Sequence, residues 1–282
     1  TISKTYLAKY LNIEQGKLYD ESVVKTIDQK LRNLPLVKMK GASRIVFFRG
    51  KVRVVLKIDD NITDRLDGVV GLAPNSANSQ ENQLLITGEL NIELNNLFKS
   101  GKQLELHWRN YLQNSQKLDL GFTYPYLFNT RVGISSEFNL NKFDTLFVNL
   151  QSKLSLRYQQ QGNNYVQVYY QNVNSNLLSA DTSAVRVSKK IPTNNPYTIR
   201  NYGLAIFQQD LDYLPNPRKG YRILADGAIG QKQIVRNADI RQVKFANSDN
   251  GSIISVYDTA QLKSTRLEFK VASSYFIPIK KF

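Results

Sequence analysis

Residues Leu84 to Leu94 read L-L-I-T-G-E-L-N-I-E-L, and this alternation limits the chain's folds more than any other feature. Ile86, Gly88, Leu90, Ile92 and Leu94 fall on one side of an extended segment. Thr87, Glu89, Asn91 and Glu93 fall on the other. A strand has period two, so one face is apolar and the other carries charge. The same pattern returns down the chain. Candidate strands lie near 63–73, 83–95, 102–112, 116–124, 130–141, 145–159, 164–174, 197–212, 220–234 and 264–278. From Thr63 onward the periodicity predicts no helix. The segments are about twice as long as the usual strand of about 5 or 6 residues. They match the roughly 9 to 11 residues a tilted strand needs to cross a bilayer.

The charged phase holds Glu89, Glu93, Glu105, Arg109, Asp119, Arg131, Glu137, Lys153 and Arg157. The opposite phase holds Leu104, Leu106, Trp108, Leu118, Leu120, Phe122, Ile134, Phe138, Leu150, Leu154 and Leu156. In water such a sheet turns its apolar face to a core. In a membrane the assignment inverts: apolar face to lipid, charged face to a lumen. Strand length, strand number and connection lengths favour the membrane. The links at 95–101, 124–129 and 214–220 are tight and share one side. Those at about 175–196 and 236–262 are long and share the other, together with the polar link at 74–82. Short turns on one rim and long loops on the other are the mark of a transmembrane barrel. Tyr111, Tyr124, Tyr126, Phe128, Tyr158, Tyr213, Tyr221, Tyr275 and Phe276 sit near strand ends, as interfacial aromatics do.

The first 60 residues differ. A helix is predicted over Ile2–Leu11, with Gly16 after it. A second runs from Glu21 to Leu31, capped by Asp20 and ended by Pro35. Two strands follow near 43–48 and 51–58, joined at Arg49-Gly50. The expected organisation is a small α/β domain over 1–60 and a partial β-barrel over 61–282.

The net charge is +15, with 38 Lys and Arg against 23 Asp and Glu. The cations are scattered in short clusters such as Lys189-Lys190, with no long basic run or basic helix, so nucleic acid is not an expected partner. There is no cysteine, hence no disulfide framework and no thiolate metal site. His107 is the only histidine; it lies within a strand, on the charged phase. No G-x-S-x-G elbow, H-E-x-x-H or phosphate loop occurs. Asp210 and Asp212 read as a solvated strand end, and Gly227 to Gly230 as close packing or a bend. No catalytic, cofactor-binding or metal-ligating residue is assigned, and no cofactor and no enzymatic activity are expected.

The N-terminal residues Leu7-Ala-Lys-Tyr-Leu-Asn-Ile-Glu-Gln-Gly16 and Leu18-Tyr-Asp20 resemble the helix junction of a POTRA (polypeptide-transport-associated) domain. Its opening strand would precede Thr1. Leu118-Asp-Leu-Gly-Phe-Thr-Tyr-Pro-Tyr-Leu-Phe-Asn-Thr130 and Asn216-Pro-Arg-Lys-Gly-Tyr221 are similar to periplasmic hairpins of the BamA/TamA-type outer-membrane assembly factors, the bacterial surface antigen family. Tyr275-Phe-Ile-Pro-Ile279 is similar to a third such strand exit. The resemblance implies a barrel in the outer membrane with its N-terminal part in the periplasm. It implies unfolded client proteins as partners, beside the lipid bilayer and accessory lipoproteins or periplasmic factors. It places the seam for client insertion beside residues 63–73. The family has about sixteen strands and an inward R-G-F/Y loop. Here about ten strands and no such motif are found, which implies a fragment of a larger barrel. Relatives of such barrels also anchor N-terminal hydrolases, and a soluble basic β protein is the third reading.

Overall fold

The computed structural model describes residues 2–74, 84–179, 182–192, 195–246 and 251–278. Of the polar link expected over 74–82, Pro74 ends a strand and residues 75–82 lie outside the described residues. The chain opens with three short helices, α1 (Lys4–Tyr10), α2 (Glu21–Lys25) and α3 (Ile27–Arg32). Ser3 caps α1, its hydroxyl accepting the Tyr6 N–H. Asp20 caps α2 in the same way from Ser22. The single helix expected over 21–31 is divided at Thr26. Its hydroxyl donates to the Val23 carbonyl at 2.8 Å and its backbone ends one helix and starts the next.

An interrupted hairpin follows: β1 (Val37–Met39), β2 (Arg44–Phe48), β3 (Lys51–Val55) and β4 (Ile58–Asp60). β1 pairs with β4 and β2 with β3, so residues 40–43 on one arm face only 56–57 on the other. β2 and β3 are the two expected strands; that excess sets β4 apart from β3 and pairs it with β1, which lies before the expected strands. Leu7, Tyr10, Leu11, Ile27, Leu31, Leu34, Leu36 and Val37 close a core between helices and hairpin.

Then come β5 (Arg65–Pro74), β6 (Leu84–Leu97), β7 (Lys102–Leu112), β8 (Ser115–Tyr124), β9 (Val132–Phe143), β10 (Phe147–Gln159) and β11 (Tyr165–Leu177). Helix α4 (Thr182–Ser188) separates these from β12 (Tyr197–Leu211) and β13 (Gly220–Ile234). Helix α5 (Ala238–Gln242) and a small hairpin, β14 (Lys244–Ala246) with β15 (Ile253–Ser255), precede β16 (Lys263–Phe276). β5 to β13 and β16 form one ten-stranded antiparallel sheet in which each strand pairs with the next. The protein is therefore mainly β, and the ten long strands sit where the alternation puts them.

Two expectations change. The sheet is open: among the described residues β5 pairs only with β6, and β16 only with β13. It is a barrel-like run of strands rather than a closed barrel. The long links are also not free of helix. α4, α5 and the β14–β15 hairpin enclose Val185, Ile240, Val243, Val256 and Tyr257. These helices have 7 and 5 residues, too short for a helical period to register in the sequence. The Asn237 cap of α5, whose side chain accepts from Asp239 and Ile240, was the local signal available.

Candidate functional site

The two faces of the sheet have opposite chemistry, and the apolar one is bare. The register is continuous across β9 to β13 and β16, so alternate residues form rows over the whole width. One row runs Ser135, Ser155, Tyr169, Gly203, Ala228 and Glu268. Leu154 and Leu156 flank Ser155 on β10 and are 52% and 50% exposed, while Ser155 is 1% exposed. On β11 and β12 the buried residues are Gln167, Tyr169, Ile199, Asn201, Ala205 and Leu211, all on the phase of the polar row; Val168, Tyr202, Leu204 and Ile206 on the other phase are exposed. Leu154, Leu156 and Leu204 join no buried cluster; Leu177, at the far end of β11, packs on the loop core. A small serine covered while its leucine neighbours are bare means that side chains of the neighbouring strands shield the polar row and leave the apolar row open. In water the order is the reverse. The contrast weakens toward β7, where Glu105 and Arg109 stay exposed on the polar side.

The polar face is bonded across strands. Tyr169 Oη donates to Asp226 Oδ1 at 2.7 Å, passing over Gly203 on the strand between. A Cβ on Gly203 would stand 2.1 Å from the Tyr169 ring. Lys153 Nζ covers that ring at 4.3 Å. Towards β5, Asn91 donates to Asp67 at 2.8 Å and to Glu89 at 3.0 Å, and Arg109 pairs with Glu89 at 3.2 Å. His107 Nδ1 lies 3.0 Å from Asn91 Oδ1, within this network. The sole histidine is thus a polar-face residue with a structural bond. Asp210 accepts from Gln29 at 2.9 Å, and Asp212 from the backbone of Arg218 and Lys219 at 3.0 and 3.1 Å. The backbone donors hold the Asp212 carboxyl below its ordinary range. The two aspartates serve different partners and are not brought together as an acid–base pair. Among the described residues no group of three metal-ligating side chains occurs.

The apolar face has a defined height. Tyr221 pairs with Tyr275 at its lower end, and Ile229 with Leu267 near its upper end. Eight steps at about 3.4 Å give roughly 27 Å along the strand, or about 21 Å along the normal at a tilt of about 40°, close to a bilayer belt of about 25 Å. Tyr124, Tyr158, Tyr221 and Tyr275 all face outward at this lower rim, as interfacial aromatics would. Tyr126 does not belong with them. It is buried against Tyr6, ring centroids 5.3 Å apart and edge to face. Its position beyond the strand, in the Pro125 turn, takes it out of the outward phase.

The tight turns gather on the N-terminal module. The Ser3 N–H donates to the Lys99 carbonyl in the β6–β7 turn at 2.9 Å. Tyr126 and Arg131 come from the β8–β9 turn, and Arg131 pairs with Glu14 at 2.6 Å and also bonds Asn12. Gly162, between β10 and β11, donates to the Tyr10 carbonyl at 2.9 Å, and Gln161 accepts from Lys30 at 2.9 Å. At the β12–β13 turn, Gln29 and Asn33 both donate to the Leu211 carbonyl at 2.8 Å, and Asn33 accepts the Leu214 N–H. The turns at 95–101, 124–129 and 214–220 therefore share the module's side, joined by a fourth at 160–164. Burial, reinforced by the neighbouring Tyr126 phenol, pushes the Tyr6 and Tyr10 phenols well above their usual range. Hydrogen bonds from Lys17 and Arg131 hold the Glu14 carboxyl below its own.

No protein-family model matches the chain. No curated protein matches it either. Among solved structures it is similar to the crystal structure of BamA from Haemophilus ducreyi lacking POTRA domains 1-3, at 13% sequence identity and a TM-score of 0.43. That match covers 85% of this chain and 51% of the other, so the chain spans about half the length of that structure.

Proposed function

We propose that this chain is a membrane-spanning β protein of the outer membrane, of the kind that assists insertion or translocation of client proteins, and not an enzyme. The observation that carries the reading is the inverted polarity at the middle of β10 to β12: Leu154, Leu156 and Leu204 bare, Ser155 and Gln167 covered. A solvent less polar than water makes that arrangement favourable. About 25 cal/mol is gained per Å² of apolar surface removed from water, so a belt of bare Leu, Ile, Val and Phe this wide favours lipid strongly. The module seated on the tight turns occupies the periplasmic side in this reading, where short turns belong. Its exposed strands and the free edge of β5 offer backbone donors and acceptors to an extended client by strand addition. Gly68 and Gly71 lie on that edge strand and lower its cohesion. The POTRA-like character of the module and closure of the sheet belong to the same proposal, since an open edge within lipid leaves backbone groups unbonded.

The test is extraction of the expressed chain from outer membranes. Resistance to high salt and to alkaline carbonate, release by detergent, and a heat-dependent shift in gel migration are expected. Release by salt or carbonate alone would return the protein to the soluble basic β class. Client contact is read separately, by photo-crosslinking from Val70 on β5 to an unfolded barrel substrate. Adducts at Val70 and none at Leu156 in the sheet interior are expected.

A further inference from the structure

The loops at the far end of the sheet build a basic recess that the proposed membrane function leaves unused. Arg236, Arg241, Lys244, Ile253, Ser255, Tyr257 and Asp258 line a cavity of about 210 Å³. Its walls are fixed by the small core between α4, α5, β14 and β15. Tyr257 Oη donates to Asn195 Oδ1 at 2.6 Å and accepts the Asn237 N–H at 3.0 Å, which ties the floor to the links on both sides. Asn195 in turn donates to the Val235 carbonyl at 3.1 Å, holding the residue before Arg236. Arg241 lies in the last turn of α5, Lys244 opens β14, and Arg236 just precedes the α5 cap, so three cations stand on one frame.

Charge and hydrogen bonding are both unbalanced there. Among the described residues lining it, three cations face one carboxylate, and that one is engaged: Asp258 Oδ2 accepts the Ser255 N–H at 2.8 Å. Among the described residues none of the three cations forms an ion pair. The Ser255 hydroxyl is the second, independent sign. Ser255 is 6% exposed, lies in the cavity wall, and its Oγ has no hydrogen-bond partner. A buried hydroxyl without a partner costs about 1–3 kcal/mol, so a native structure normally supplies one. An oxyanion supplies an acceptor for that hydroxyl and a counter-charge for the cations together.

We propose that this recess binds a phosphate-class oxyanion. Two guanidinium groups suit a tetrahedral, multiply charged oxyanion, since each presents paired N–H donors to two of its oxygens. Lys244 adds a point charge. The anion is either free phosphate or the phosphate of a lipid headgroup.

The whole chain, folded in a phosphate-free detergent, is titrated calorimetrically with inorganic phosphate and, separately, with dihexanoyl phosphatidic acid below its micellar concentration. Saturable binding of at least one probe is expected. Arg241→Gln and Lys244→Gln each weaken it at least tenfold, and Lys38→Gln on the N-terminal module leaves it unchanged. Ser255→Ala, which removes the unpartnered hydroxyl without removing charge, weakens it several-fold and serves as the variant whose folding is least at risk. Tighter binding of the lipid probe assigns the site to a headgroup; equal or tighter binding of inorganic phosphate assigns it to the free ion. No saturable binding of either probe, or binding that survives Arg241→Gln and Lys244→Gln, overturns the proposal. The recess and the membrane reading fail independently, because phosphate binding needs only the loop core.

Discussion

Gly203 has no room for a side chain, and the reason is chemical rather than conformational. The Tyr169 ring lies across it to reach Asp226. Gly203→Ala displaces the ring and opens that bond, with an expected loss of about 1–3 kcal/mol in unfolding titrations from detergent. Tyr169→Phe keeps the ring and loses only the bond, about 1 kcal/mol. The opposite face obeys another rule. Leu204 is 49% exposed, and in water Leu204→Arg there would cost almost nothing. In a bilayer the same change costs about 2–4 kcal/mol near the midplane. Folding titrations of Leu204→Arg in vesicles check this, and a neutral result in lipid would place Leu204 outside the membrane. Alternation shows from the sequence that Leu204 and Gly203 face opposite ways. It does not show that Tyr169 reaches Asp226, because that contact depends on register across two strand pairs.

At the scale of elements, the module and the turns are held by few but specific bonds. Arg131 joins Glu14 and Asn12, and Gly101 leaves space for the Tyr6 ring, which a Cβ would meet at 2.0 Å. Glu14 titrates below its ordinary value of 4.5 in the folded protein. A carboxyl depressed by folding stabilises the docked state above its unfolded pKa and loses that contribution as pH falls through the folded one. Docking is therefore expected to hold from neutrality to about pH 5 and to weaken below 4.5. Glu14→Gln flattens that profile. Hydrogen exchange at the amides of Ser3 and Gly162, which donate across the junction, reads it directly. The strands were legible in the sequence because ten or more alternating residues outvote local exceptions. β2 and β3 were legible too, as a hairpin about Arg49-Gly50; β1, α4 and α5 were not, since such short elements carry few periods. Tyr126 was misplaced for a related reason: phase along a strand says nothing once the chain turns.

The whole molecule reads as three layers along one axis: a module on short turns, a sheet with a bare apolar belt, and a loop core with a basic recess. The belt is the claim on which the rest depends. Composition concealed it, because alternating strands average to a mean hydropathy of −0.38. The alternation assigns the polar face down to Glu89, Lys153 and Arg157. Burial within that face, and exposure of the other, depends on which side chains neighbouring strands bring alongside, which no single strand encodes. The chain carries one tryptophan, Trp108, and it points to the apolar side of β7 between Leu90 and Leu118. Its fluorescence needs no substitution to report the environment of that face. With the protein folded into vesicles, lipids brominated on their acyl chains are expected to quench Trp108 strongly, and aqueous iodide to leave it nearly unquenched. Quenching by iodide with no response to brominated lipid would contradict the membrane assignment of the apolar face.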